Sequence, residues 1–535
     1  MPDAILSPHL KSATPINRQH AIRLRQIRVR NYALLFFGCV LFHVAGTWNV
    51  PLIDRDEPRF AEASREMIER SDYVVPYFND RVRLDKPPLA YWMQVASYGI
   101  FGENDFAARF PSTIAAALTA LSIFAWGSRL RSPRRPSASQ ARIGGDRTGW
   151  WAAIIFTLCL QTFVHAKAAV ADMWLVLFVT LAHWSGYELI WQSSPESEHQ
   201  TSNSERIREQ AIEHRTSNLW WWTFYLALAL AFLAKGPIGW VPLLTVGSTI
   251  IFAGESHLRK SFKFVRGIAL MLAAVSVWGI PALVRTHGEF FWIGIGRHVV
   301  GRSIGAMEGH GANSLGAYLL LLPFYFVTIF ASFFPWSIKL PWLTRRLWRN
   351  RDTTDNYLLT GTFMIFTIFS LIKTKLPHYT LPAFPLLALL LARCWVDNGT
   401  QAKCFKRCTI AASCVYLTIA LIAAPFAARF FPAAQLFRES RNDLRSEMEF
   451  AAVEYNEPSL VWYFRGRVNG FMTPLNRDAV VPFMEQDGAR FVMMPTNLVR
   501  DLFPNPPPNW KTFSTCAFNI AKGKRVDLTL VLKSD

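Results

Sequence analysis

Residues 31–53 read NYALLFFGCVLFHVAGTWNVPLI. No side chain in this stretch carries a fixed charge, and about twenty such residues wound as a helix reach across the hydrocarbon core of a bilayer. Similar apolar blocks recur along the 535-residue chain, half of which is hydrophobic and which contains 20 Trp and 41 Phe. One soluble core does not use apolar residues in that way, whereas a set of membrane-crossing helices does. The expected fold class is therefore a polytopic α-helical membrane protein.

The formal net charge of +19 raises nucleic acid as a partner, but its distribution argues otherwise. Arg and Lys cluster at residues 11–30, 129–147, 259–266, 345–351 and 403–407, each time in a gap between apolar blocks. That is the positive-inside pattern of a membrane protein facing a bilayer rather than a nucleic-acid face. Residues 1–30 form a basic N-terminus expected in the cytoplasm, and the first apolar segment lacks an A-x-A cleavage site, so it reads as a retained signal anchor. The seven cysteines are scattered and make no disulfide framework, and Cys404 and Cys408 lack the further ligands of a zinc site.

Starting from the inside, the first span exits near Ile53 and residues 54–108 form a first outer loop. Further spans are expected at about 109–128, 149–166, 170–191, 267–284, 316–342, 357–372, 377–395 and 409–428. The apolar block 219–253 is broken by Lys235-Gly236-Pro237, which reads as two spans meeting at an outer turn, because a lysine at mid-membrane is costly. The count is eleven, with 11–13 compatible with the boundaries, and every Arg-rich gap falls on one side. The membrane domain is thus 31–428. Residues 429–535 read as a small extracytoplasmic α/β domain, with SLVWYF, RFVMMP and RVDLTLVLK as strands and TNLVRDLF as a short helix.

Ionisable residues gather at the outer ends of the spans: Asp54, Asp56, Glu57, Arg59, Asp85, Lys86, Lys167, Asp172, Lys235, His298, Arg302, Lys373, Lys375 and His378, with Tyr379 beside them. Charged groups at such depth are functional candidates by default. Carboxylates suit the deprotonation of a nucleophile, and Lys, Arg and Tyr suit a phosphate. Together they point to chemistry on a phosphate-bearing lipid.

The most specific segment is IDRDEPRFAEASREMIERSDYVVPYFNDRVRLDKPPLAYW, residues 53–92. It resembles the first outer loop of the GT-C glycosyltransferases, and most closely that of the aminoarabinose transferases and the protein-mannosyltransferase-like family. Asp56-Glu57-x-Arg59-Phe-Ala-Glu62 matches a D-E-x-R-Y-A-E signature, Asp85-Lys86-Pro87-Pro88 an acidic-Lys-Pro turn, and Lys375-Leu-Pro-His-Tyr379 a later K-L-P-x-Y segment. The resemblance implies an inverting transfer of a sugar from a polyprenyl-phosphate donor to a glycolipid such as lipid A, another glycan or a protein, at the bacterial inner membrane with the site on the periplasmic side. It makes Asp56 the base and Asp172 a second acidic residue near the sugars. Arg59, Lys86, Lys235 and Arg302 are assigned to the donor phosphate, with Tyr379 donating a hydrogen bond. No nucleotide or cofactor is required. A divalent metal on Asp85 and His298 is possible by the same resemblance, although Asp85 stands where the family has Glu, and Pro58 also departs from the aminoarabinose subgroup.

Plainer readings stand beside these. Asp56 opens an amphipathic run with Phe60, Ala63, Met67 and Ile68 on one face and is a candidate N-cap for a helix lying in the interface plane. Lys86 is a candidate to snorkel to headgroups, Asp172 to pair with Lys167, Lys235 and His378 to end helices, His298 to be a hydrogen-bonded loop residue and Tyr379 to anchor at the interface. A transporter or flippase is the alternative function, but neither inverted repeats nor mid-span acids are evident. A plain membrane anchor for the C-terminal domain leaves the outer-face cluster without a purpose.

Overall fold

The computed structural model describes residues 15–130, 138–192, 203–253, 258–301, 305, 314–397 and 402–534. The chain opens with α1 (Pro15–Val44), which contains the apolar run of the first predicted span. The first loop then folds into α2 (Asp56–Glu69), a two-stranded ribbon of β1 (Tyr77–Phe78) and β2 (Arg81–Val82), and α3 (Leu89–Phe101). A bundle follows, beginning with α4 (Asp105–Gly127), α5 (Ala138–Thr157), α6 (Leu160–His165), α7 (Asp172–Gln192), α8 (Asn203–Lys235) and α9 (Val241–Ala253). It continues through helices Phe264–Arg285, Thr353–Leu371, Phe384–Asp397 and Ala402–Thr418.

Among the described residues six helices are long and apolar enough to cross a membrane, and a seventh span results if Leu315–Leu321 and Phe324–Ser332, bent by 41°, count as one. The other predicted spans fall on helices that are shorter, interrupted or, as with Thr353–Leu371, not among those apolar enough to cross by the same measure. This is a multi-pass membrane protein. The spans Arg259–Arg285 and Ala402–Phe430 have only 22% and 17% of their apolar windows buried, so their flanks are left for lipid. Small residues set the close crossings: a Cβ on Gly267 would lie 1.9 Å from the Tyr225 ring.

Residues 449–534 build a mixed five-stranded sheet from β3 (Glu449–Val453), β4 (Thr473–Leu475), β5 (Arg490–Pro495), β6 (Trp510–Asn519) and β7 (Lys524–Lys533), in the order β4-β3-β5-β7-β6. Alternate residues feed the two faces, as a pleat requires. Phe450, Ala452, Phe491, Met493, Leu530 and Leu532 pack on one side, and Ala451, Val453, Val492, Met494 and Val531 on the other. The predicted strands RFVMMP and RVDLTLVLK and the helix in TNLVRDLF are present. SLVWYF is not a strand. It lies in a helix, Pro458–Arg465, with proline in the first turn where no N–H is missed. That helix covers one sheet face with Leu460, Val461 and Phe464, while Trp462 turns toward the membrane bundle. Burial on both sides erases the alternation that distinguishes helix from strand in the sequence.

Candidate active site

Helix α2 begins at Asp56, and its N-cap is Arg55, so Asp56 occupies the first helical position rather than capping. Asp56 is exposed and Arg59 half-buried. The next residue, Glu57, is buried and anchors the helix start. Its carboxylate accepts from Arg109 Nε at 2.9 Å and Nη2 at 2.6 Å, from the backbone N–H of Ile53 at 2.7 Å and from that of Ala169 at 2.7 Å. Arg109 also donates to the carbonyls of Thr47, Val50 and Pro51, which ties the end of α1 to the start of α2. Nor does α2 lie free in an interface plane. It is packed between α3 and the Pro458–Arg465 helix, with ten of its residues buried.

A cavity of about 720 Å³ opens beside this loop. Most of its wall is apolar, from the helix Phe264–Arg285, the π-helical segment Phe291–Gly301, Trp240 to Leu244, and the end of Thr353–Leu371. One end is polar and brings together Asp85, Lys86, Asp172, Lys235, His298, His378 and Tyr379. Six of the nine predicted site residues therefore line one space. Asp56 and Arg59 are outside the lining, and Arg302 lies outside the described residues. Asp56 nevertheless acts electrostatically on Arg83, whose Nη2 is 3.1 Å from Asp85 Oδ2 and whose Nε donates to Tyr91 at 3.0 Å. Arg83 links the exposed base candidate to the cavity and was not singled out from the sequence, where it looks like any basic residue of a loop.

Backbone breaks place the polar groups. Helix α8 ends at Lys235, Gly236 takes φ 80°, and Pro237 starts a 3-10 turn, so the lysine projects from a helix terminus instead of mid-span. Its Nζ donates to Asp172 Oδ1 at 2.5 Å and lies 5.5 Å from the centre of the Tyr379 ring. His378 Nε2 is 4.0 Å from the same oxygen, and the rings of His165 and His378 are 5.0 Å apart. Asp172 thus pairs with Lys235 and not with Lys167. The latter donates to the carbonyls of Phe42, His43 and Ala45 at 2.7–3.1 Å and caps α1. Lys375 does the same for the helix Thr353–Leu371, donating to the carbonyls of Phe369 and Ser370. Two outer-face lysines are therefore helix caps, a role that local sequence does not distinguish from phosphate binding.

Asp85 sits between His298, whose Nε2 is 3.2 Å from its Oδ1, and Arg83. Burial pushes its carboxyl up, but the hydrogen bond from His298 and the charges of Arg83, His298 and Lys86 outweigh it and hold Asp85 below the usual carboxylate range. The pair is spaced like two ligands of one ion, yet it offers two donors where protein zinc sites use three or four, and Arg83 opposes a cation. His165, Asp172 and His378 form a second group whose ligand atoms lie within 4.8 Å of one another. There the ammonium of Lys235 already neutralises the carboxylate.

Known proteins resemble this chain in sequence and in fold. Residues 85–196 match the family model described as dolichyl-phosphate-mannose-protein mannosyltransferase. The undecaprenyl phosphate-alpha-4-amino-4-deoxy-L-arabinose arabinosyl transferase 2 of Sodalis glossinidius is 30% identical over 352 residues, covering 65% of this chain and 56% of that protein. The corresponding transferase of Erwinia tasmaniensis is 28% identical over 391 residues, 71% of this chain and 62% of its own length. The chain spans about three fifths of the length of these curated relatives. The crystal structure of ArnT from Cupriavidus metallidurans bound to undecaprenyl phosphate superposes with a TM-score of 0.70, covering 94% of this chain and 98% of that one at 17% identity. The chain has the fold of that ArnT structure. Its fold includes the C-terminal sheet unit as well as the bundle, since the superposition covers almost the whole of both chains.

Proposed function

We propose that this ArnT-like protein is an integral-membrane glycosyltransferase that takes a sugar from a polyprenyl-phosphate carrier, undecaprenyl phosphate in a bacterium. The observation that carries this reading is the meeting, in one cavity, of a long apolar wall with Lys86, Lys235 and Tyr379 at its polar end. An isoprenoid tail suits the wall, and two cations with a phenol suit a phosphate. The family model and the two transferases named above, whose descriptions specify lipid-phosphate sugars, support the same donor class.

In this mechanism Asp56 removes the proton from the acceptor hydroxyl as that oxygen attacks the anomeric carbon. The bond from that carbon to the phosphate oxygen breaks, the sugar inverts, and the polyprenyl phosphate leaves with the bonding electron pair. Lys86 and Lys235 receive its developing charge, helped by the Tyr379 hydroxyl and by Arg302 and Arg59. Before the donor arrives, Asp172 keeps Lys235 oriented toward the cavity. Asp85 acts as the anchor of His298 and Arg83, and the reaction is carried by the chain's own residues without a nucleotide or a required metal. The active site and the C-terminal unit face the periplasm of the inner membrane, and the acceptor is lipid A, another glycan or a protein. The test is a panel of polyprenyl-phosphate sugars given to the purified protein in lipid. Release of polyprenyl phosphate with one of them supports the reading, and no release with any, while the carrier crosses the bilayer, would favour a flippase.

A further inference from the structure

The C-terminal unit touches the membrane bundle chiefly through one short helix, Pro458–Arg465, and that helix lies against α2, the helix that starts with Asp56. The contact is made of buried charges. Arg465, 9% exposed, binds Glu62 through Nη1, donates from Nη2 to Glu69 Oε2 at 2.7 Å and lies 3.6 Å from Glu66 Oε1. Glu62 and Glu66 are both 0% exposed. From α2 itself, Arg65 donates to the other oxygen of Glu62 at 2.8 Å and to the Trp462 carbonyl at 3.1 Å, with its guanidinium 4.0 Å from the Trp462 ring centre. Just before α2, Asp54 accepts from the backbone N–H of Ser459 at 2.9 Å and from its hydroxyl.

Two buried carboxylates one helical turn apart repel each other and are costly to desolvate; Arg65 and Arg70 of the same helix offset part of that cost, and the guanidinium of Arg465, reaching both from the other side, ties the position of one helix to the other. The membrane side of α2 is held by Arg109 on Glu57, and the opposite side by Arg465. Asp56 is exposed and, among the described residues, carries no such anchor of its own, so its position is set by where these two arginines hold its helix.

We infer that the C-terminal unit is a positioning clamp for the catalytic helix, with Arg465 as a positioning residue that sets the placement of Asp56. The inference rests on the assignment of Asp56 as the base. It states that the unit contributes to turnover without touching the donor phosphate, whose candidate ligands all lie on the bundle and the first loop.

The test uses the full-length protein and three variants, Arg465→Met, Arg465→Met with Glu62→Gln, and Asp56→Asn. Without Arg465 the buried charge of Glu62 is balanced by Arg65 alone, and the double variant removes that charge, so thermal stability returns toward wild type. If the clamp positions Asp56, kcat stays down ~10- to 100-fold in that double variant while the KM for the donor lipid holds within about twofold. Amide hydrogen exchange over residues 54–70 rises at least about tenfold relative to wild type, a readout independent of turnover. A double variant with wild-type kcat and wild-type exchange would overturn the clamp. If Asp56→Asn keeps full activity, the base assignment falls, and exchange over 54–70 still reports whether Arg465 holds the helix.

Discussion

Lys235 shows how much one side chain carries in this molecule. Its ammonium neutralises Asp172, which is 8% exposed, and it is also the cation proposed to meet the donor phosphate. Lys235→Met leaves a buried carboxylate unpaired and is expected to destabilise the protein by roughly 3–5 kcal/mol in a thermal or denaturant melt. Adding Asp172→Asn should restore most of that loss, yet donor KM should remain raised by about tenfold or more, because the phosphate contact is gone. Recovery of both stability and KM would confine Lys235 to a structural role. Asp85 makes a contrasting prediction. With His298 and Arg83 already on its two oxygens, dialysis against a strong chelator should leave turnover within about twofold. A larger loss reversed by added zinc would place a metal on the pair after all.

At the scale of elements, the interface between α2 and the Pro458–Arg465 helix should respond to pH. Burial, only partly offset by the hydrogen bonds of Ser459, pushes Asp54 up to about 6, and burial against the charges of Arg65 and Arg465 leaves Glu62 at about 7. A carboxyl whose folded value is raised binds its proton more tightly folded than unfolded. The stability it adds is present below the unfolded value and is lost as pH rises through the folded one. The interface should therefore weaken between about pH 4 and 7, by an amount on the order of 1–3 kcal/mol, and melts across that range should show the slope flattened in Asp54→Asn or Glu62→Gln. Inside the bundle, Gly267 lets the Phe264–Arg285 helix pass the Tyr225 ring, whose hydroxyl donates to the Phe262 carbonyl at 2.9 Å. Gly267→Ala should cost about 1–3 kcal/mol by overpacking and lower the melting temperature without altering donor KM.

For the whole molecule, the order of apolar blocks and basic gaps was legible because each span is a local pattern whose length and flanking charge are dictated by the bilayer. Much of the cavity's polar end was legible too, since Asp85, Lys86, Asp172, Lys235 and Tyr379 stand where charge or phenol is costly or notable in an otherwise apolar chain. What stayed hidden was partnership. Lys167 and Lys375 cap helices, Glu57 belongs to Arg109, and Glu62 belongs to Arg465, which lies 403 residues away. The helix around SLVWYF escaped because it is buried between sheet and bundle. Topology offers its own check: Cys516 is exposed on the C-terminal sheet and should react with a membrane-impermeant thiol reagent only from the outer side of intact inner membranes. The most direct measurement compares wild-type protein with Asp56→Asn, both shown to insert and to bind the polyprenyl-phosphate sugar, for release of polyprenyl phosphate in the presence of acceptor. The account predicts that Asp56→Asn lowers kcat by about a hundredfold or more with donor binding intact, and release at the wild-type rate would contradict it.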